Sequence, residues 1–423
     1  MNAKLLFVFF LFASIITSCQ TKTDNWTHFR GSSLDGHASV QKAPIHWSET
    51  ENIVWKVPVK GLGWSSPVVF GNQIWLTSAE ENGTAFYVFC FDLESGKVLN
   101  EQTLFASDEP QQIHSTNSYA TPTPCIEEGR VYVHYGTFGT ACIDTKSFNV
   151  IWKREDLKCD HMQGPASSPI LYKDKLIVHL EGTEDPYVIA LDKNTGETIW
   201  KSVRPKEIYD QLEPVYRKSF QTPIVINVNG KELLISNGSY MCFAHDVKTG
   251  EVVWTVTYGY DSTVSQPLFW NGLVFVNSGW IFEENKPSFT RQFAIDPTGK
   301  GDVTETHVKW MYEEDVPQIP TPVIVDGLMY MVHDRGMVTC LDAMTGNMIW
   351  KEKLKGNFNS SPIYAAGNIY FFNVKGDCTI IKPGDSFQKV AENSIGETVK
   401  AIPAFIGDQM ILRTQNHLFL IEE

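Results

Sequence analysis

The sequence predicts an all-β fold, an eight-bladed β-propeller of four-stranded antiparallel blades. Three observations support this prediction. Two short motifs recur along most of the chain, the two chain ends hold complementary parts of one repeat, and few segments keep apolar residues at helical spacing. Copies of the motifs follow one another at about 40–55 residues, which is the period of propeller blades.

The first motif is a hairpin, seen in ALDKNTGETIW at residues 190–200. An apolar strand leads to an Asp that opens a turn, a Gly provides positive φ, and a second strand ends in Trp. Further copies occupy 90–100, 142–152, 244–254 and 340–350, and a looser copy runs from Ala294 to Trp310.

The second motif precedes each hairpin and predicts two more strands. It consists of a small polar residue, Pro, an apolar pair, a turn of Gly, Asn or Asp, and an alternating strand. Its eight copies begin at Ser65, Thr121, Ser167, Thr222, Gln266, Thr321, Ser360 and Ile402. Two strands from each motif give four strands in each of eight blades.

The chain ends predict how the ring closes. The last unit stops at LFLIEE, after three strands, and lacks a strand that ends in Trp. The segment ENIVWKVPV, residues 51–59, has Trp55 at the repeated position. We therefore expect this N-terminal strand to complete the last blade, so that the ring exposes no open sheet edge.

The D-x-x-T-G-x-x-x-W repeats resemble the tryptophan-docking repeats of the PQQ-like β-propellers over residues 47–423. That family includes quinoprotein alcohol dehydrogenases and the propeller lipoprotein of the outer-membrane β-barrel assembly machinery. The segment NWTHFRGSSLDGHA, with SYATPTP and GPASSP, is similar to secreted bacterial PQQ-like propellers. These motifs predict the fold strongly and catalysis hardly at all.

The resemblance implies that the repeated tryptophans pack between blades, where an indole covers the seam and its N–H finds a backbone carbonyl. This structural role falls on Trp55, Trp152, Trp200, Trp254, Trp310 and Trp350. Asn100 breaks the pattern in the first full blade, and the segment GDSFQKVAEN breaks it in the seventh. We expect those two seams to be packed differently.

The N-terminus predicts export and a lipid anchor. Lys4 is followed by LLFVFFLFASII, which is too short for a stable membrane anchor, and Thr17, Ser18 and Cys19 resemble the bacterial lipobox. We expect a lipoprotein signal peptide at 1–18, a tether and N-terminal segment at 19–46, and the propeller at 47–423. The alternative is an ordinary secretory signal that leaves Cys19 free. Gln20 favours the outer membrane and leaves the facing leaflet open.

The net charge of −14 excludes nucleic acid as a partner, since it repels phosphate backbones. No second apolar stretch of spanning length follows the signal, so we expect membrane contact only through the N-terminal lipid. We expect the protein to be a monomer in the cell envelope.

The cysteines predict buried thiols rather than a metal site. Cys90, Cys142 and Cys340 lie two residues before the repeated Asp, where other blades have Ala, so the position is a tight apolar slot. No C-x-x-C pair suggests zinc. Cys125 and Cys159 are candidates for a disulfide, which spacing alone leaves open.

The loops that enter the innermost strands predict a ligand funnel, because these loops converge at the centre of a propeller. Their amides, cations and aromatic rings suit an anionic or polyhydroxylated ligand. The candidates are Trp64, His114, Asn117, Tyr119, His161, Gln163, Arg217, Lys218 and Asn359. A metal held by His114 and His161 is disfavoured because no third ligand matches.

The function that these features favour is a binding or scaffold module for an envelope protein or a glycan, with no catalytic residue assigned. The alternative is an enzyme that uses the funnel, either a PQQ-dependent dehydrogenase or a polysaccharide lyase or hydrolase acting through His114, His161 and Arg217. The dehydrogenases of the family carry an adjacent pair of cysteines and a calcium ligand set. The chain has no CC dipeptide and no calcium set that we map onto it, so we expect neither PQQ nor calcium.

Overall fold

The computed structural model describes residues 25–259, 263–281 and 289–423. Eight separate sheets form the blades, and each blade contains four antiparallel strands that are numbered here from the channel outward. The predicted eight-bladed propeller is confirmed. The predicted signal peptide and Cys19 lie outside the described residues.

The first four blades follow the chain without interruption. Their strands are Val68–Phe70, Gln73–Ala79, Ala85–Asp92 and Val98–Ala106 in blade 1; Cys125–Glu127, Arg130–His134, Thr140–Asp144 and Val150–Arg154 in blade 2; Ile170–Tyr172, Lys175–Leu180, Tyr187–Asp192 and Thr198–Val203 in blade 3; and Ile224–Val228, Lys231–Asn237, Met241–Asp246 and Val252–Thr257 in blade 4.

The last four blades complete the ring. Their strands are Leu268–Trp270, Leu273–Asn277, Gln292–Ile295 and Val308–Tyr312 in blade 5; Val323–Val325, Leu328–Val332, Met337–Asp342 and Met348–Lys353 in blade 6; Ile363–Ala365, Asn368–Phe372, Asp377–Lys382 and Gln388–Ser394 in blade 7; and Ala404–Ile406, Gln409–Arg413, His417–Glu422 and Ile53–Pro58 in blade 8.

Two short strands extend blades in parallel. His37–Ala38 pairs with the innermost strand of blade 7, and Gly301–Asp302 pairs with the outermost strand of blade 4. The helices are single turns at Lys206–Tyr209 and Thr304–His307, with 3-10 turns at Gly136–Phe138 and Pro214–Tyr216. None of the helices in the described part of the chain is long and apolar enough to cross a membrane.

The ring closes as the sequence predicts. The strand Ile53–Pro58 pairs antiparallel with His417–Glu422, and Trp55 lies opposite Leu420. The two ends of the chain therefore form one blade, and their backbone hydrogen bonds fasten the ring.

All six docking tryptophans donate their indole N–H to the next blade, as predicted. Each acceptor is a backbone carbonyl 3.0–3.1 Å away, and in five of the six pairs it belongs to the residue after the repeated Asp. The donor–acceptor pairs are Trp55–Leu93, Trp152–Lys193, Trp200–Val247, Trp254–Pro297, Trp310–Ala343 and Trp350–Gly384.

The seam requires a Gly in the hairpin motif both for its positive φ and for its lack of a side chain. Gly196 has a φ of +76°, and a Cβ built there would lie 2.7 Å from the indole of Trp152. Only glycine adopts this backbone easily and lets the ring of the preceding blade lie flat against it. The Trp and the Gly of the motif therefore meet across blades.

At the seam between blades 1 and 2, both the docking Trp and the turn Gly of the motif are replaced by other residues. Asn100 occupies the Trp position, and Phe148, at a φ of +60°, stands where other blades have the turn glycine. The ring of Phe148 lies 5.8 Å from that of Trp75. The Gln73 amide donates to the carbonyl of Thr145 at 2.9 Å, the bond an indole makes elsewhere. This seam is packed differently, as expected.

The seam between blades 7 and 8 uses a tryptophan from the N-terminal segment instead. Ala391 takes the docking position in blade 7. Trp47 stacks on Tyr370 and Phe372 at centroid distances of 6.5 and 6.0 Å. The amide oxygen of Asn393 accepts the backbone N–H of Trp47 at 3.0 Å, which fixes the segment on the blade.

The cysteines of the described residues are buried free thiols. Cys142 and Cys340 lie opposite docking tryptophans, in the slot that Ala fills elsewhere. Burial raises the pKa of each of these two thiols to about 12, so both stay protonated at neutral pH. Cys125 and Cys159 are both free and form no disulfide with each other.

Candidate functional site

A cavity of about 380 Å³ lies at the end of the central channel where the chain enters the innermost strands. Its walls combine aromatic rings, amides and hydroxyls with one lysine. The lining residues are Phe29, Trp64, Ser66, His114, Thr116, Asn117, Thr121, Gln163, Ala166, Ser168, Phe220, Thr222, Val264, Trp280, Ile319, Thr321, Asn359, Ser361, Lys400 and Ile402.

The other end of the channel is closed by residues 25–38, which we call the plug. On each innermost strand that it touches, the plug contacts the second residue after the repeated Pro. Trp26 exchanges two backbone hydrogen bonds with Val69, and the carbonyl of Thr27 accepts the N–H of Ile126. The same position is contacted in four further blades, at Leu171, Ile324, Tyr364 and Phe405.

Arg30 anchors the plug without an acidic hydrogen-bond partner. Its fully buried guanidinium donates to the backbone carbonyls of Thr321 at 3.1 Å, Pro322 at 2.7 Å and Asp35 at 3.1 Å. Burial lowers its pKa to about 9, still above neutral pH. Gly36, with a φ of +84°, leaves room for this group, since a Cβ there would lie 2.4 Å from Nη2 of Arg30.

The plug turns the predicted funnel into a blind cavity. Three residues of strand separate the lining hydroxyls from the plug contacts, a distance of roughly 10 Å. Phe29, from the plug, lines the cavity. Sequence reasoning placed residues 25–38 in a tether and missed this role, because each plug contact occurs once and has no repeat to reveal it.

At the open end, Lys400 lies over the ring of Trp64, with its Nζ 4.4 Å from the ring centroid. The ammonium also donates to the carbonyl of Thr116 at 2.7 Å. Burial lowers the pKa of Lys400. The indole nitrogen of Trp64 is buried and has no hydrogen-bond partner among the described residues.

Five of the nine predicted funnel residues line the cavity: Trp64, His114, Asn117, Gln163 and Asn359. Hydrogen bonds connect the loops that lead into blades 2 and 3 at this point. The N–H of His114 donates to the carbonyl of Gln163 at 3.2 Å, and the Asn117 amide donates to the same carbonyl at 2.8 Å.

Tyr119 and His161 lie in the wall rather than on the cavity lining. Tyr119 is 7% exposed, and its hydroxyl donates to the carbonyl of Gln111 at 2.6 Å. His161 accepts the N–H of Thr137 at Nε2, 3.1 Å away, which requires the tautomer protonated on Nδ1. Burial lowers the pKa of His161 to about 4, so the ring is neutral at pH 7.

Arg217 and Lys218 also lie outside the cavity lining. The guanidinium of Arg217 donates to the carbonyl of Leu212 through Nε at 3.1 Å and Nη2 at 2.9 Å. The ammonium of Lys218 donates to the carbonyl of Val215 at 2.5 Å. Both cations hold the loop that leads into blade 4.

The lining offers donors and aromatic faces but no carboxylate, since none of the described lining residues is Asp or Glu. Across the described residues no group of three or more His, Cys, Asp or Glu is placed to hold a metal. Calcium requires six to eight oxygen ligands, usually with carboxylates among them. The described lining therefore does not supply the ligands of a calcium-bound quinone.

These observations define the class of protein: a closed eight-bladed propeller with docking tryptophans and a blind central cavity. A family model described as outer membrane protein assembly factor BamB matches residues 45–278, 184–315 and 293–382. The chain therefore belongs to this family of PQQ-like repeat propellers.

Individual relatives are distant. A tetrathionate hydrolase of Acidithiobacillus ferrooxidans is 21% identical over 77% of this chain and 66% of its own length. A quinoprotein ethanol dehydrogenase of Pseudomonas aeruginosa is 28% identical over 33% of this chain and 25% of its own length. The crystal structure of BamB from Moraxella catarrhalis matches 88% of this chain and 97% of that chain at 13% identity, with a TM-score of 0.59.

The chain thus spans two thirds or less of the length of these two sequence relatives. The structural match confirms the fold at an identity that carries no residue roles. Membership of the family indicates a cell-envelope or periplasmic protein.

Proposed function

We propose that this protein is a binding module of the bacterial cell envelope that uses its blind central cavity to hold a group presented by a glycan or a protein partner. The single observation that carries the proposal is the blind cavity, which a 14-residue plug closes at one end and which amides, hydroxyls and aromatic rings line. Such a mixture of apolar walls and a few polar groups is typical of ligand pockets.

We further propose that Cys19 carries lipid and that the anchor places the propeller on the outer membrane. The lipobox-like segment before Cys19 supports the lipid. The family, named for outer membrane protein assembly, supports the location. Radiolabelled palmitate should enter the wild-type chain and not a Cys19→Ala variant.

The proposed module works without PQQ and calcium, because none of the described lining residues supplies a carboxylate that would hold the ion. Mixing the purified protein with PQQ and calcium should leave no quinone absorbance on the protein after gel filtration. Bound quinone at a stoichiometry near one, with dye reduction by alcohols, would contradict this part of the proposal.

A second candidate is an enzyme that acts on a sulfur oxyanion, which the likeness to a tetrathionate hydrolase over 77% of this chain favours. The cavity residues able to act are Lys400 and His114, since His161 and Tyr119 are engaged in the wall. Incubation with tetrathionate, followed by ion chromatography, separates the two candidates, because a binding module leaves the substrate unchanged.

The binding proposal is tested by filling the cavity. In Ala166→Trp an indole would occupy the cavity, whereas Val98→Trp adds the same group to the exposed outer strand of blade 1. Immobilised wild-type protein and Val98→Trp should retain the same envelope glycan or protein fraction, and Ala166→Trp should lose it. Equal retention by Ala166→Trp, or no retention by any of the three, would overturn the proposal.

A further inference from the structure

Six hydroxyl groups around the channel join the innermost strands of neighbouring blades at six of the eight seams, and we call this set the ring. Each hydroxyl belongs to the Ser or Thr before the repeated Pro and accepts a backbone N–H from the preceding blade at 2.9–3.0 Å. The six are Ser66, Thr123, Ser168, Thr222, Thr321 and Ser361. This bond explains why a small polar residue recurs in the second motif.

Each hydroxyl of this ring also carries a proton. A Ser or Thr hydroxyl has one proton to donate besides its acceptor lone pairs. None of the six protons has an acceptor among the described residues. Five of the six residues line the cavity, and the exception is Thr123. The cavity therefore presents a circle of hydrogen-bond donors that still require acceptors.

Cationic side chains lie in the lining, behind the wall and beneath the floor of the cavity. The wall also holds the carboxylate of Asp334, which accepts the backbone N–H of Gln318 at 2.6 Å. Among the described residues, Lys400 is the one charged side chain in the lining, and a single acceptor, the carbonyl of Thr116, engages its three ammonium protons. Behind the wall, the buried guanidinium of Arg413 donates to Ser65 and to the carbonyl of Thr77, with no carboxylate partner. Beneath the floor, the buried guanidinium of Arg30 likewise donates to backbone carbonyls, those of Thr321 and Pro322.

We propose that the cavity binds an oxyanion group, a sulfate, sulfonate or phosphate, with Lys400 and hydroxyls from the five ring residues in the lining as its donors. This inference rests on the proposed binding function and names its ligand chemistry. An oxyanion has several acceptor oxygens and no proton to give, so it complements a site that supplies donors and positive charge. The aromatic walls cover the organic part of a larger ligand.

Desolvation makes this preference specific. Where a ligand displaces water from the cavity, a donor left without an acceptor is costly, and a charged acceptor forms stronger hydrogen bonds than a neutral one. A neutral sugar brings hydroxyls that must find acceptors of their own, and the described lining has no carboxylate to supply them. The same glycan with a sulfate group should therefore bind much more tightly.

The test is calorimetric titration of the purified full-length mature protein at fixed ionic strength maintained with sodium chloride. Sodium sulfate and sodium phosphate probe the free anions, glucose 6-sulfate probes an anion carried on a sugar, and glucose is the neutral control. We expect the sulfated sugar to bind at least about tenfold more tightly than glucose. Binding of inorganic sulfate with no gain from the sugar would assign the site to a free anion.

Variants of the ring provide a matched control. Thr321→Val and Thr123→Val each remove a hydroxyl that accepts one backbone N–H at 2.9 Å, but only Thr321 lines the cavity. We expect Thr321→Val to weaken anion binding several-fold and Thr123→Val to leave it unchanged. Lys400→Met should weaken it at least about tenfold, and Lys400→Arg should restore most of it.

Two results would overturn the inference. One is the absence of sulfate and phosphate binding to the wild-type protein, and the other is an affinity that Lys400→Met and Thr321→Val leave unchanged. If Ala166→Trp still abolished retention of the envelope fraction in that case, the binding module would stand and only its anionic ligand would fall. If retention were also unaffected, both proposals would fall together.

Discussion

Each end of the central channel holds a tryptophan and a basic residue, yet the two ends differ in what surrounds these side chains. At the closed end Trp26 is 2% exposed, and three backbone carbonyls accept hydrogen bonds from Arg30. At the open end Trp64 borders the cavity, and one carbonyl accepts from Lys400. The closed end fills its space, whereas the open end keeps space and donors for a ligand.

This difference separates stability from binding. Donors and rings that are satisfied by the protein itself contribute to the folded state, because removing them leaves cavities and unpaired groups. Donors that remain unsatisfied contribute little to folding and are available to a ligand. Substitutions at the closed end should therefore mainly lower the free energy of unfolding, whereas substitutions at the open end should mainly weaken anion binding.

The largest effect is expected from Trp26→Ala. Trp26 packs edge-on against Phe405 and under the backbone of Gly31, so its loss leaves a cavity and should lower the free energy of unfolding by about 3–5 kcal/mol. Trp64→Ala only enlarges an existing cavity and should cost about 1–2 kcal/mol. Urea unfolding of both variants measures the difference, and an equal loss would remove the distinction between the two ends.

Acid should destabilise the wall that lies between the two ends. Burial lowers the pKa values of His134 and His161 to about 3 and about 4, against an ordinary value near 6.5. Between pH 6.5 and 4 the unfolded chain binds protons that the folded state does not. The free energy of unfolding should therefore fall with falling pH, by up to about 1.4 kcal/mol per pH unit for each ring.

Urea unfolding at pH 7, 6 and 5 checks this dependence. His161→Gln removes one of the four buried rings whose pKa is lowered, the others being His28, His134 and His245, so its stability should depend less steeply on pH than that of the wild type. A slope that the substitution leaves unchanged would show that His161 does not remain neutral in the folded protein.

A smaller effect is expected at the glycine that makes room for Arg30. Gly36→Ala forces a Cβ to within 2.4 Å of the Arg30 guanidinium at a φ of +84° and should cost about 2–3 kcal/mol. Gly129 has a φ of +79° with nothing within 4 Å, so Gly129→Ala measures the backbone strain alone, about 1 kcal/mol. Equal melting temperatures for both variants would mean that the plug does not hold Arg30 at this position.

The smallest effect on stability, within about 0.5 kcal/mol, is expected for Lys400→Met, since this side chain makes one hydrogen bond and a cation–π contact. Its effect appears in binding. Only the protonated ammonium attracts an anion, and burial lowers the pKa of Lys400. Sulfate affinity should therefore fall as pH rises, beginning below the range of an ordinary lysine, and a pH-independent affinity would exclude Lys400 as the donor.

The repeated parts of the fold were predictable from the sequence, because eight copies display the same constraint. The Trp200 position recurs since each seam needs an indole donor, and the slot of Cys142 alternates with Ala since it is tight and apolar. Even the hydroxyl before Pro was visible as a pattern. Its hydrogen bond to the neighbouring blade was not, because a motif shows spacing and gives no partner.

The parts that occur once were not predictable in the same way. The plug depends on contacts between residues 25–38 and blades much later in the chain, up to Phe405 in blade 8. No local sequence pattern predicts such contacts. Among the funnel candidates, loop position identified Trp64 and His114 in the lining, and it also named His161 and Arg217, whose side chains bond within the wall and the loop. Loop membership sets where a backbone lies and leaves the direction of the side chain open.

The seam between blades 1 and 2 also shows that sequence pattern alone does not predict a residue's partner. Asn100 alone signalled a missing indole, but the accompanying change of Gly to Phe148 and the hydrogen bond from Gln73 became clear only when the three residues were placed together. A departure from a repeat thus predicts where packing changes and not what replaces it.

The central claim is that the open end of the channel binds an oxyanion through Lys400 and the ring hydroxyls. The most direct measurement is anomalous diffraction from crystals of the protein soaked in selenate, which replaces sulfate and reveals its own position. We expect a selenium peak inside the cavity, within hydrogen-bond distance of Nζ of Lys400 and of at least one ring hydroxyl. A cavity without a peak at saturating selenate, with peaks only on the outer surface, would contradict the claim.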